Sequence, residues 1–226
     1  MSVLKGCAGL LIVAFFTQCQ TIPVAPDALP ARVERAFSTC TPTEGSLSFR
    51  AVGENFQKSF EIDWVSRNMT FEMHMSDPFG VPVLNVLYSG TVFSVKGALA
   101  PSLPEIDKVG EVLRVGDTVM PFGIDELSCF LAYRMPIKWK GLSANSWRMI
   151  GNSIVSEFSV GSYAVVLSFD EAGGRWKSCA QYYRTWIGWI RSAAFKVCYK
   201  DGQEGTASND KGLFLEWRPL NGSPES

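Results

Sequence analysis

Gly45 to Gly80, GSLSFRAVGENFQKSFEIDWVSRNMTFEMHMSDPFG, decides the fold, because apolar and polar side chains alternate in it three times in succession. Leu47, Phe49 and Ala51 alternate with Ser46, Ser48 and Arg50. Phe56, Phe60, Ile62 and Trp64 then share one parity, against Gln57, Ser59, Glu61 and Asp63 on the other. Met69, Phe71, Met73 and Met75 repeat the pattern against Thr70, Glu72, His74 and Ser76. A period of two is the mark of strands with one buried and one wet face, and three of them in a row predict an antiparallel meander. Turn residues fall between the runs at Gly53-Glu54-Asn55, Ser66-Arg67-Asn68, Asp77-Pro78-Phe79-Gly80 and Ser89-Gly90.

Outward from this core the same signal continues. Val83 to Tyr88 and Thr91 to Lys96 read as strands, and Ala98 to Val109, rich in proline and acidic residues, as a loop with room for a helical turn. Ile124 to Tyr133 is the one strong helix, with Ile124, Leu127, Phe130 and Leu131 at helical spacing, Asp125 placed to cap its start and Pro136 to end it. Strands resume at Trp147 to Ile150, Ile154 to Phe158, Tyr163 to Phe169, Trp176 to Tyr183, Ile190 to Tyr199 and Leu213 to Trp217. Ten or eleven strands with little helix leave three architectures: a sandwich, a barrel, or one large, strongly curved sheet.

The N-terminus speaks to location. Met1 to Lys5 is a short basic start and Ala8 to Phe16 an apolar run, the pattern of a signal peptide. The run is about half the length a helix needs to cross a bilayer. It leads into Cys19, which stands where a lipidated cysteine would, although Gln18 is unusual before it; Cys7 comes too early. The expectation is a signal peptide over 1–18, a lipidated linker over 19–40, one domain over 41–220 and a disordered tail over 221–226. Two acyl groups on Cys19 would bury dozens of CH₂ groups at about 0.8 kcal/mol each, enough for stable anchoring. Secretion with cleavage nearby is the alternative.

Composition narrows the chemistry. Lys plus Arg number 21 against 22 Asp plus Glu, so the net charge of −1 gives no footprint for nucleic acid. His74 is the sole histidine and lies on the polar parity of a strand. Cys40, Cys129, Cys179 and Cys198 lack the close spacing of a structural zinc site, and an oxidising compartment would permit two disulfides in three connectivities. Cys179 with Cys198, on neighbouring strands, is the first choice; four buried thiols are the alternative. No nucleophilic triad, Walker loop or dinucleotide fingerprint is present. Glu61 and Asp63, about 7 Å apart on one strand face, are a carboxylate pair of the kind glycosidases use, and equally an ordinary solvated face. The expectation is a protein that is not an enzyme and needs no cofactor or metal.

Two local motifs carry a resemblance. Met75-Ser76-Asp77-Pro78-Phe79-Gly80 is similar to the (N/D)-P-L-G loop that follows the third strand of the outer-membrane lipoprotein receptor family LolB, in the LolA/LolB-like superfamily. Met120-Pro121-Phe122, Leu127 and Phe130 to Pro136 are similar to that family's helix and its trailing L-x-x-L-P element. The resemblance covers about Gly45 to Trp139 by motif and the C-terminal strands by pattern only. It implies a mainly β fold: one large curved antiparallel sheet forming an incomplete barrel of about eleven strands, with short helices over the concave side. It also implies an apolar cavity that holds acyl chains and a protruding loop residue that helps deliver them.

Carried over by position, Phe79, flanked by Pro78 and Gly80, takes the place of the protruding residue; the alternative is a ring folded back beside Val81 and Val83. Leu47, Phe49, Phe60, Ile62, Trp64, Phe71 and Met73 are the expected cavity lining, and methionines such as Met69, Met73 and Met75 suit variable acyl chains. Such residues also make an ordinary core. This chain departs from the family in its Phe for Leu, its four extra cysteines and its aromatic and basic segment Tyr182 to Ala194, where Trp186, Trp189 and Arg191 could face a membrane or a partner, or pack as an edge strand. The function so implied is acceptance of acyl chains of lipoproteins or lipids from a periplasmic lipoprotein carrier and their transfer to the outer membrane, by a protein anchored there and facing the periplasm. The rival is a structural lipoprotein that serves as a docking platform in an envelope complex.

Overall fold

The structure, a computed structural model, describes residues 21–40, 43–67, 70–90, 92–102, 105–109, 112–115, 118–172, 174–185, 191–201 and 203–220. Cys7, Cys19, Met69, Trp186 and Trp189 lie outside them, as does the tail 221–226. Arg191 is described in its backbone only.

The fold is mostly β, and one antiparallel sheet, not closed into a barrel, dominates it. In chain order the strands are β1 (Thr21–Pro23), β2 (Phe37–Ser38), β3 (Thr43–Gly53), β4 (Phe56–Arg67), β5 (Thr70–Ser76), β6 (Pro82–Ser89), β7 (Val92–Lys96), β8 (Ile106–Val109), β9 (Val112–Val115), β10 (Thr118–Val119) and β11 (Met135–Pro136). They continue with β12 (Arg148–Ile150), β13 (Ser153–Val160), β14 (Tyr163–Ala172), β15 (Arg175–Thr185), β16 (Arg191–Lys200), β17 (Glu204–Asn209) and β18 (Phe214–Pro219). Helices α1 (Ala31–Arg35), α2 (Ile124–Leu131) and α3 (Ile137–Leu142) complete it. The large sheet has thirteen strands in the order β1-β12-β13-β14-β15-β16-β17-β18-β3-β4-β5-β6-β7. It is therefore two meanders, β3 to β7 and β12 to β17, joined where β18 pairs with both β17 and β3. A small β10-β9-β8 sheet and a parallel β2–β11 pair stand apart from it.

Register places the expected apolar parity on one face. Leu47 lies opposite Ile62, Phe49 opposite Phe60, Trp64 opposite Met73 and Phe71 opposite Tyr88. The helices cover this inner face: Ser128 of α2 donates to Ser66 of β4 at 3.0 Å, and Trp139 of α3 lies 5.8 Å from Phe158 and 5.9 Å from Tyr182 between ring centroids.

Several boundaries differ from expectation for physical reasons. Residues 21–40 are not a linker in the structure. β1 pairs with β12, Val33 is fully buried, and Arg32 stacks over Trp176 at 4.3 Å while pairing with Glu171. Within the thirteen-stranded sheet the expected count of about eleven misses β1 and β17, and the short strands β2, β8, β9, β10 and β11 outside it were not expected either. β17, EGTASN, offers no large apolar residue, because its inner positions are Gly205 and Ala207 and the Trp217 ring lies over Gly205, where a Cβ would come within 2.0 Å of it. The stretch Ala98 to Val109 contains β8 as well as a turn. α2 starts from Gly123, not Asp125: Glu126 reaches back to accept the Gly123 N–H at 3.0 Å, the far half of a capping box. It ends at Leu131, and Tyr133 then turns the chain with a left-handed φ of 57°. Pro136 does not end that helix but opens α3.

Candidate functional site

The loop between β5 and β6 is built by one carboxylate. Asp77 accepts the N–H groups of Phe79 and Val81 through its side chain, both at 2.9 Å, while its carbonyl accepts the Gly80 N–H at 2.9 Å. Gly80 takes φ 79°, a left-handed turn open to a residue without Cβ. These three hydrogen bonds to Asp77 order the turn, and Phe79 at its tip is 90% exposed. The plug alternative beside Val83 is thus not what the structure shows. Val81, 55% exposed beside it, extends the apolar tip.

The expected cavity lining divides. Leu47, Ile62, Trp64 and Phe71 are buried in a continuous core with Phe130, Leu131 and Trp139 of the helices and have almost no free surface, so these four line packed interior and not an open hollow. Phe49 and Met73 are half-buried against that core, and Phe60 is half-buried. The reason is in the helices: α3 was not foreseen, and its Trp139 fills space that one helix would leave. A separate cleft of about 610 Å³ lies at the β1 edge, lined by Thr21, Pro23, Trp147, Arg148, Glu157 and Phe158, none of them expected as lining.

Inside the core, polar atoms have been buried without partners. The hydroxyls of Tyr133, Tyr182 and Tyr199 and the indole N–H groups of Trp64, Trp139, Trp147 and Trp217 find no hydrogen bond. Desolvation pushes the Tyr182 phenol well above 10, and the nearby Glu126 carboxylate and Tyr199 add to it. Tyr199 is raised in the same way, first by burial and then by Tyr133. Glu126 itself is buried and held by Lys138 at 2.5 Å.

Both disulfides form. Cys179 and Cys198 face each other across the β15–β16 ladder with Cα atoms 4.1 Å apart, on the parity opposite the inner face. Cys40 joins Cys129 of α2 over 89 residues, Cα to Cα 4.9 Å, tying the N-terminal segment to the helix. His74 is exposed and bonds Asn85 across the β5–β6 ladder at 2.9 Å. Glu61 and Asp63 are exposed, and Asp63 accepts from Ser46. Among the described residues no group of three His, Cys, Asp or Glu could hold a metal, and no helix is long and apolar enough to cross a membrane.

The arrangement defines a class of protein: an open antiparallel sheet wrapped around short helices, with an aromatic interior and a rigid apolar tip at one end. No known family profile matches the chain, and no curated protein is significantly similar to it.

Proposed function

We propose that this protein is an outer-membrane-anchored lipoprotein, tethered through Cys19, that takes up acyl chains of other lipoproteins or lipids and hands them to the membrane through the Phe79 tip. The observation that carries the reading is the 90% exposure of Phe79 on a loop whose backbone is immobilised by Asp77. A soluble protein gains nothing by ordering a turn in order to hold a phenyl ring in water, whereas seating that ring in acyl chains returns about 2 kcal/mol. Val81 beside it, 55% exposed, widens the contact.

Leu47, Ile62, Trp64 and Phe71 are packed together with the helices, so a chain that reaches them enters by separating α2 and α3 from the sheet face. The driving force is apolar surface kept from water at about 25 cal/mol per Å², with no nucleotide required. Uptake from a periplasmic carrier and release at the membrane then form one affinity-driven transfer.

The test is transfer of a fluorescent acylated peptide from the protein to vesicles, wild type against Phe79→Glu. Loss of transfer with retained peptide binding supports the reading. Equal transfer by both removes Phe79 from it. A second reading, a docking platform with a permanently filled core, is favoured by the near-complete burial of Leu47, Ile62, Trp64 and Phe71. Organic extraction of the purified protein and mass spectrometry decide between them, since a platform yields no lipid and does not keep an acylated peptide from aggregating.

A further inference from the structure

Helix α3 buries Trp139 and turns Ile137, Lys138, Gly141 and Leu142 to solvent on its other side, with Ile137 46% and Leu142 55% exposed. The apolar surface continues where the helix ends. Ser156 of β13 donates to the Ser143 carbonyl, next to Leu142, at 3.4 Å. Two residues before Ser156 on the same strand stands Ile154, opposite Met149 of β12, which in turn lies opposite Ile22 of β1. Cross-strand neighbours share a face, so Met149 and Ile22 project from the side of the sheet that the helices cover. They are nevertheless 39% and 56% exposed.

Cations border these residues. Lys140 of α3 pairs with Glu34 of α1 at 2.8 Å, and beside that pair Arg134 donates to the Arg35 carbonyl at 3.2 Å. Residues 31–38 and 134–142 together hold five cations, Arg32, Arg35, Arg134, Lys138 and Lys140, and one carboxylate, Glu34. Glu171 pairs with Arg32 and Glu126 with Lys138, which leaves Arg35 and Arg134, both exposed, without a carboxylate partner among the described residues. Two positive charges are thus left over here in a chain whose net charge is −1. Aliphatic side chains presented singly beside free cations suit a bilayer, which needs no matching shape: it takes up apolar groups one at a time, and anionic headgroups hold the arginines next to them. A stable protein partner needs a contiguous, closely packed patch, and these four apolar residues are spread over a helix and a sheet edge.

We propose that this face, with Ile22, Ile137, Leu142 and Met149 bordered by Arg35 and Arg134, rests on an anionic phospholipid bilayer. The four aliphatic side chains enter the headgroup layer and the two guanidinium groups pair with phosphates. The contact is separate from the Phe79 tip and goes beyond acyl transfer. One part of it rests on the anchored reading: Cys19 precedes Ile22 by three residues, a span of at most about 11 Å, so acyl chains there would enter the bilayer beside this face.

The full-length protein is mixed with vesicles that contain a phospholipid bearing a photoactivated carbene precursor in its acyl chain, and the adducts are located by mass spectrometry. One set of vesicles is phosphatidylethanolamine with phosphatidylglycerol, the other phosphatidylcholine alone. Adducts at Ile22, Ile137, Leu142 and Met149 form in the anionic vesicles and fall in phosphatidylcholine. Arg35→Gln/Arg134→Gln shifts the balance between the resting and the lifted face about thirtyfold towards the lifted one, since each cation contributes about 1 kcal/mol at an anionic surface. The comparison of the two vesicle types uses wild type alone and so decides the matter even if the double variant folds poorly. Adducts at Phe79 with none on this face overturn the proposal and leave the Phe79 reading intact; adducts on this face with none at Phe79 do the reverse. Equal labelling of the face in both kinds of vesicle also overturns it, because the arginines would then recognise nothing.

Discussion

Removing the Cys40–Cys129 bridge should cost the protein more than removing Cys179–Cys198, although the latter is set between two long hydrogen-bonded strands. The bridges close loops of very different size, with sequence separations of 89 and 19. In the chain-entropy description the longer loop restrains the unfolded chain by about 4.6 kcal/mol and the shorter by about 3.2 kcal/mol. The loops do not overlap, so either can be opened with the other intact. All four sulfurs are buried, and the small voids left by alanine nearly cancel between the two double variants. The expected difference is thus about 1.4 kcal/mol. One further term is separable: Cys40 sits at φ 54°, so Cys40→Gly/Cys129→Ala should be more stable than Cys40→Ala/Cys129→Ala if the turn survives without its bridge. Guanidinium denaturation of the three variants and wild type, followed by tryptophan fluorescence, reads all of these values. If the Cys179→Ala/Cys198→Ala variant proves the less stable with an unchanged denaturant slope, the loop-closure reasoning is wrong for this fold.

Gly205→Ala should lose at least about 2 kcal/mol in urea denaturation, since its methyl would stand 2.0 Å from the Trp217 ring and the indole must leave the core. Phe79→Glu should change stability by less than about 0.5 kcal/mol in the same assay, as expected for an exposed tip. Lys138→Met should cost about 1–3 kcal/mol in thermal unfolding, because the buried Glu126 keeps only the Gly123 N–H as partner. Tyr182 and Tyr199 hold their protons in the folded state well above 10, whereas in the unfolded chain they release them near 10. Their contribution to stability is therefore complete below pH 10 and is lost as pH rises beyond it, which ultraviolet titration and melting at pH 9 and 11 would register.

The parts of the fold written in strict alternation were legible. β3, β4 and β5 carry large apolar side chains on one parity and charges on the other, and their register follows from that contrast. β17 was invisible because its task is to make room: Gly205 and Ala207 are small so that Trp217 and Leu215 of the next strand can lie across them, a property of two strands together. The segment 21–40 looked like a tether because its prolines hide how few contacts are needed, Val33, Phe37 and Cys40 sufficing to seat it in the core. Phe79 at the tip of a D-P-F-G turn could be located from sequence, but its exposure could not, since that depends on Asp77 closing three hydrogen bonds around it. The face of Ile22, Ile137, Leu142 and Met149 had no local signal, because its members lie on three separate elements.

The place of β18 has a consequence for when this protein can fold. Arg218 and Trp217, almost the last residues described, pair with Ser48 and Phe49, and β1 at the other extreme pairs with residues 148–150. Neither half can seal its edge until the final strand has been made, so a ribosome-bound or partly threaded chain holds two unfinished meanders and no native product. A polypeptide wired in this way commits to its shape only once β18 is free to pair. A truncation that removes β18 should leave two separate, sticky sheets in place of a slightly shortened one.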